Sequence, residues 1–274
     1  MGRVITVTSG KGGVGKSTTS ASLSMGLAKR GYRTLVIDFD IGLRNLDLLL
    51  GHEKRVLFDI VNVMNGEVPL EQAVIRDHRC DSLYQLPGSQ TETKDVLKLK
   101  KIAQMIDQAR HKFDYIICDS PAGIEHGARM AMYFEDDAVL VATPELPSIR
   151  DTDRVIGLIM EKSFRAMHGL NPVRTHLLIN RYNSDNVDDA VTPESIVERL
   201  KVPLLGVIPE DQGHVSRAAN RGEPVILDST SSAGRAYIDT VSRYLDEDIP
   251  IRLGRNRKRG WRDFFRPGRR AGAG

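Results

Sequence analysis

Cysteine is nearly absent: Cys80 and Cys118 are the two in 274 residues, far apart and with no C-x-x-C. That argues against a disulfide framework or a thiolate zinc site, and it suits a chain kept in a reducing cytosol. Aromatics are also scarce, 5% against 41% hydrophobic residues, so an aliphatic core is expected. No apolar run reaches the roughly 18 residues that span a bilayer. The chain runs directly into RVITVTSG (3–10), so no signal peptide is expected. The histidines (His52, His78, His111, His126, His168, His176 and His214) lack metal-binding spacing and read as ordinary surface or core residues.

Charge is present in both signs but unevenly. Residues 252–274 hold nine Lys/Arg and one acid, Asp263, a net of +8. That leaves 30 of the 39 basic and 35 of the 36 acidic groups to the other 251 residues, a net of −5. A mildly acidic body with a basic tail points to an anionic partner for the tail, nucleic acid or a membrane surface.

Short Val/Ile/Leu runs alternate with helical patterns. Strands are expected at 3–8, 34–40, 82–88, 113–121, 136–144, 175–180 and 203–209. Helices are expected at 16–31, 95–112 and 233–247, with further helical patterns between the strands. Continuous apolar runs suit strands buried on both faces. The alternation predicts an α/β fold: one domain, a mostly parallel twisted sheet with helices on both faces and ligands at the strands' C-terminal ends. No linker or repeat interrupts the chain before about residue 248, so a body over 1–250 and a tail over 251–274 are expected.

The most specific motif is SGKGGVGKST (9–18), which fits G-x-x-x-x-G-K-[ST] between an expected strand and an expected helix. Gly10, Gly12, Gly13 and Gly15 free the backbone around Lys11 and Val14, so successive N–H groups can surround phosphates. The helix N-terminus, with Lys16, Ser17 and Thr18, adds a favourable dipole. Lys16 is expected to reach the β/γ phosphates and the Ser17 hydroxyl to ligate Mg²⁺. Lys11 is a second cation in the loop. It is either a solvated surface lysine or a charge delivered to the nucleotide of a second copy, where it would stabilise a transferring phosphoryl group.

Carboxylates follow two strands. Asp38 and Asp40 end VIDFD, and Asp119 ends YIICD, the pattern of an acid that holds Mg²⁺ directly or through water. The bland alternative is a turn-capping Asp. Asn180 closes THLLIN, where its amide can pair with a base edge, and Pro209 and Glu210 after LLGVI can form the other wall; plain strand-end turns are the alternative. In the tail, Trp261, Phe264 and Phe265 stand at i, i+3 and i+4 with Arg259, Arg262 and Arg266 around them, and Pro267 limits a helix to about two turns. An interfacial amphipathic helix is the favoured reading, over a single-strand nucleic-acid contact or a featureless basic tail.

KGGVGKST resembles the deviant P-loop signature of the MinD/ParA class of dimerising ATPases, whose signature lysine falls on Lys11. The likeness continues through VIDFDIGLRNLDLLLG (36–51), CDSPAGIEHGA (118–128), RYN (181–183) and GVIPEDQ to GEPVILD (206–228), so it covers about residues 2–250. The resemblance implies a single-domain ATPase using ATP and Mg²⁺. It places Asp40 in switch I, positioning the attacking water, with Asp38 supporting the magnesium shell. It implies Lys11 and Lys16 as catalytic cations, an ATP-dependent homodimer, and a MinC-like inhibitor and MinE-like stimulator as partners. It also implies a tail that targets the cytoplasmic face of the inner membrane. A DNA-partitioning ATPase is the rival within the class; the acidic body opposes it, and no specific nucleic acid is expected. A reductase or metallocluster carrier built on this fold would need interface cysteines that two scattered residues do not supply.

Overall fold

The computed structural model describes residues 1–183 and 191–252. The strands are β1 (Arg3–Thr8), β2 (Thr34–Asp38), β3 (Ile75–Arg76), β4 (Leu83–Leu86), β5 (Tyr115–Asp119), β6 (Asp137–Ala142), β7 (Arg174–Tyr182) and β8 (Leu204–Pro209). In the first half the helices are α1 (Lys16–Lys29), α2 (Asn45–Leu50), α3 (Ile60–Asn65), α4 (Leu70–Ala73) and α5 (Leu99–Arg110). In the second half they are α6 (His126–Met132), α7 (Leu146–Lys162), α8 (Phe164–Met167), α9 (Pro193–Leu200), α10 (Gln212–Asn220) and α11 (Ser232–Tyr244). No helix among the described residues is long and apolar enough to cross a membrane.

The strands form one eight-stranded sheet in the order β3-β4-β2-β5-β1-β6-β7-β8. Each neighbouring pair is parallel except β3 with β4. β1 lies in the middle, so Val4, Ile5 and Val7 are fully buried and point alternately into the two helical layers. One core, with Ile5, Val7, Val36 and Leu178, is capped by Met25 and Leu27 of α1 and Tyr237 and Val241 of α11. The opposite face packs Leu35, Ile37 and Ile116 on Ile102 and Ile106 of α5. Beyond it, Leu140 and Ile179 meet Ile149 and Val155 of α7. Burial of one such side chain contributes about 1.5–3 kcal/mol.

β2 stops at Asp38, short of the expected residue 40, for a visible reason. The Asp38 carboxylate accepts the Asp40 N–H at 2.8 Å, while the Phe39 N–H donates to the Asp119 carbonyl at 3.0 Å. The backbone turns there, and the turn leaves the Asp40 charge close enough to act on Asp38 and Asp119.

The strand N-terminal ends form the opposite pole. Asp137 there accepts from the Tyr244 hydroxyl at 2.7 Å and pairs with Arg174 at 2.6 Å and with Arg3. Asp136 pairs with Arg110 at 2.7 Å and Arg165 at 2.6 Å, so both Asp136 and Asp137 are matched by arginines. The last described residues return to it: Arg243 Nε donates to the Leu205 carbonyl at 2.6 Å, and Ile251 packs on the cluster that holds Leu177 and Val202. Trp261, Arg262, Phe264, Phe265 and Arg266 lie outside the described residues.

Candidate functional site

The site is built at the C-terminal ends of the middle strands. β1 ends at Thr8, the glycine loop follows, and α1 opens at Lys16. Gly15 caps α1 with φ 100 and offers no side-chain cap, so the first-turn N–H groups remain available to an anion. A Cβ at Gly15 would lie 2.2 Å from Asn180 Nδ2, and one at Gly10 would lie 2.4 Å from the Asp151 backbone of α7. Only glycine fits either position, for the positive φ and the Asn180 contact in the first and the helix contact in the second. Val14 is buried, Gly12 and Gly13 are exposed, and Ser17 and Thr18 are part-buried on the open side of α1.

Lys16 is 8% exposed, a low value for a lysine, and its charge bears on Asp119. Asp119 and Asp38 are direct partners in the β2–β5 register, so two buried carboxylates stand side by side at adjoining strand ends. Burial pushes the Asp119 carboxyl up to about 6, against the pull of the Ser17 and Ser20 hydroxyls and Lys16. Ser20 Oγ donates to Asp119 Oδ1 at 2.8 Å. Burial, and next the neighbouring Asp119, hold Asp38 well above the usual carboxylate range. Its Oδ2 is buried with no hydrogen-bond partner among the described residues.

Crowded acids and an orphaned carboxylate oxygen beside a hydroxyl are the donor set of a hard divalent cation. Ser17, Asp119 and Asp38 therefore fit Mg²⁺ on their own chemistry. His52 does not form a second metal site: its ring nitrogens are both engaged, by Gln85 Oε1 at 2.7 Å and Asp77 Oδ2 at 3.1 Å.

The structure brings the other expected residues to the same rim. Asn180, two residues before the end of β7, donates from Nδ2 to the Val14 carbonyl at 2.7 Å, and its Oδ1 accepts the Arg181 N–H at 2.9 Å. Its amide thus braces the phosphate loop. Pro209 pairs with Tyr182 in the β7–β8 register, and the Glu210 N–H donates to the Tyr182 carbonyl at 2.9 Å. Lys11 lies on the surface, where Nζ meets Glu145 Oε2 at 2.8 Å with both side chains about half exposed, 44% and 53%.

Two participants escaped the sequence reading. Ser20 sits one helical turn beyond Lys16, so the 3.6-residue period carries a signal for it. Glu145 is 134 positions from Lys11, and nothing local links them.

With this geometry in view, similar proteins can be weighed. A family profile described as "ParA: NUBPL iron-transfer P-loop NTPase" matches residues 1–245. The septum site-determining protein MinD of Escherichia coli K12 is 52% identical over 264 residues, covering 95% of this chain and 97% of that one. The chain belongs to the MinD family of ParA-type P-loop NTPases. Its fold matches the MinD cell division protein of Aquifex aeolicus with a TM-score of 0.79 and 39% identity, covering 92% of this chain and all of that one. An Aquifex MinC:MinD complex matches at TM-score 0.77 and 41% identity, covering 92% of this chain and 99% of that one. The septum site-determining MinD of Pyrococcus horikoshii, solved with Mg-ADP, matches at TM-score 0.77 and 32% identity, covering 89% of this chain and 96% of that one. The single-domain, mostly parallel α/β architecture expected from the sequence is the one observed.

Proposed function

We propose that this chain is a dimerising ATPase that hydrolyses ATP to ADP and phosphate and cycles between cytosol and the cytoplasmic face of the inner membrane. In that cycle it recruits a MinC-like division inhibitor, is stimulated by a MinE-like factor, and helps place the division septum. One observation carries the reading: septum-placing relatives match at about half identity along nearly the full chain, phosphate loop included. The Aquifex complex supports the inhibitor partner, and the Pyrococcus complex supports the nucleotide and metal.

The chain's residues divide the work. Open N–H groups of the loop and α1 bind phosphate oxygens, and Lys16 supplies the charge inside that cradle. Ser17, Asp119 and Asp38 would hold Mg²⁺, which supplies charge neutralisation on the phosphates. Asp40 orients the attacking water. No strong base is needed, because phosphoryl transfer depends on positioning and charge stabilisation. Lys11 stands outside the cradle, so its charge is available to the nucleotide of a second copy. Asn180, Pro209 and Glu210 border the space for the base.

A partitioning role is the second reading, and the body's net −5 opposes it. An iron-transfer role needs cluster ligands. Cys118 is buried inside β5, where burial pushes its thiol up. Sedimentation-velocity runs with ATP and with ADP test the main reading. A dimer only with ATP, lost in Lys11→Ala while nucleotide still binds, is expected. A monomer in both states overturns it.

A further inference from the structure

The pole opposite the phosphate loop carries a cavity of about 470 Å³ at the N-terminal ends of β1, β2 and β5. Its lining is basic and aromatic, with Arg3, Arg33, Arg110 and Lys112 beside Tyr32 and Phe113. Most of these cations are committed. Arg3 pairs with Asp137, Arg110 with Asp136, and Lys112 with Glu71.

Arg33 differs. Its guanidinium lies 5.3 Å from the ring centroids of both Tyr84 and Phe113, and among the described residues it forms no ion pair. The one carboxylate lining the cavity, Asp114, is occupied by the Arg33 backbone N–H at 2.7 Å. Two rings therefore hold a planar, always-charged fork against a cavity, with no carboxylate among the described residues in ion-pair contact with it. A pre-oriented guanidinium of this kind suits the oxygens of a phosphate.

The place of this cavity narrows the source of the phosphate. Tyr32 packs edge-on to Tyr115 at 5.1 Å, and Tyr115 packs on Tyr244 of α11 at 6.0 Å. The residues after Tyr244 stay at this pole: Arg30 pairs with Glu247, and Arg243 Nη1 donates to the Ile249 carbonyl at 3.4 Å and the Pro250 carbonyl at 3.3 Å. Ile251 packs on the cluster of β6, β7 and β8, and Arg252 pairs with Asp239 of α11, so the described chain ends at the same pole as the cavity. We propose that the Arg33 cavity binds the phosphate headgroup of an anionic lipid, a second membrane contact made by the folded body itself. This rests on the membrane-cycling reading above, and it adds that the body docks with its strand N-termini toward the bilayer.

The test is co-sedimentation of the full chain with ATP on phosphatidylcholine vesicles with and without phosphatidylglycerol, for wild type, Arg33→Ala, Arg33→Glu and Arg33→Lys. A basic side chain near an anionic surface is worth enough to predict about a fivefold rise in half-maximal lipid for Arg33→Ala. Arg33→Glu should lose more and Arg33→Lys should retain most binding, with ATP turnover without vesicles equal in all four. Titration of sn-glycerol 3-phosphate, followed by thermal shift, separates a soluble ligand. Wild-type binding on phosphatidylglycerol vesicles that Arg33→Ala and Arg33→Glu match overturns the headgroup site and leaves the tail as the anchor. Arg33-dependent stabilisation by glycerol phosphate with unchanged vesicle binding overturns it in favour of a solute site. A wild type that ignores phosphatidylglycerol vesicles with ATP removes the membrane reading itself and this inference with it.

Discussion

On the proposed dimerisation, the weak contact between Lys11 and Glu145 would let one lysine serve two situations. Both side chains are about half exposed, so their attraction is screened and an exposed pair is worth about 0–1 kcal/mol. Lys11 can leave Glu145 for a second copy at small cost. Glu145→Gln should therefore shift the thermal midpoint by no more than about 2 °C. The same substitution should leave ATP-dependent dimerisation intact or strengthen it; a lost dimer would show that Glu145 has its own part in the interface. Lys16→Ala differs because its charge serves inside the phosphate cradle, and nucleotide binding by calorimetry should fall below detection.

Glu135 is a residue whose chemistry the function does not use. It is fully buried, and both carboxyl oxygens lack a hydrogen-bond partner among the described residues. Thr6, which faces it, donates to the Ala131 carbonyl at 3.0 Å instead. Burial, and then Asp137 and Asp136, push the Glu135 carboxyl well above its usual range. The folded chain then keeps a proton that the unfolded chain releases above about pH 4.3. Stability from this group is full below that pH and is lost as pH rises toward the folded value. Glu135→Gln should raise stability at neutral pH by about 1–3 kcal/mol. Denaturant melts of both chains at several pH values should show that gain shrinking as pH falls to the ordinary glutamate value.

Among the elements, β7 reaches across to the phosphate loop. Its Asn180 fills the space that Gly15 leaves empty and binds the Val14 carbonyl. Gly15→Ala forces both a positive-φ strain and a clash, so nucleotide affinity should fall at least about tenfold while the far-ultraviolet circular dichroism spectrum stays unchanged. Asn180→Ala removes one buried hydrogen bond and should cost less, about 1–3 kcal/mol in thermal stability.

The apolar runs made the parallel strands legible, because a strand buried on both faces has to be continuously aliphatic. β3 was not legible: its two residues, Ile75 and Arg76, are too few to show a period, and pairing with β4 rather than pattern makes them a strand. The loop, Lys16, Asp38 and Asp119 could be read because strand, turn and helix punctuate them. The brace from Asn180 and the Lys11–Glu145 pair could not, since each joins segments distant in sequence that only the sheet order brings together.

The fold as a whole separates two poles, with the candidate nucleotide site at the strand C-termini and the last described residues, after α11, at their N-termini. On the proposed cycle, a nucleotide at one pole would not touch a bilayer at the other, so coupling would pass through association. In the proposed reading one short tail would bind weakly, since folding a two-turn helix is costly and each buried aromatic returns only ~2 kcal/mol. Two tails on one dimer gain ~10²–10⁴ in avidity with no new contact. On the proposed cycle, ATP would control location by controlling the dimer, and Lys11 and Trp261 would act in one switch. Co-sedimentation with anionic vesicles in ATP and in ADP tests this for the full chain, a truncation after Gly254 and Lys11→Ala. Pelleting of the full chain with ATP alone, lost in both variants, is the expected outcome. Pelleting that ignores the nucleotide would make the basic segment a simple electrostatic anchor and uncouple Lys11 from location. Binding to duplex DNA with ATP, steeply weakened by salt and with no response to vesicles, would move the chain to the partitioning role.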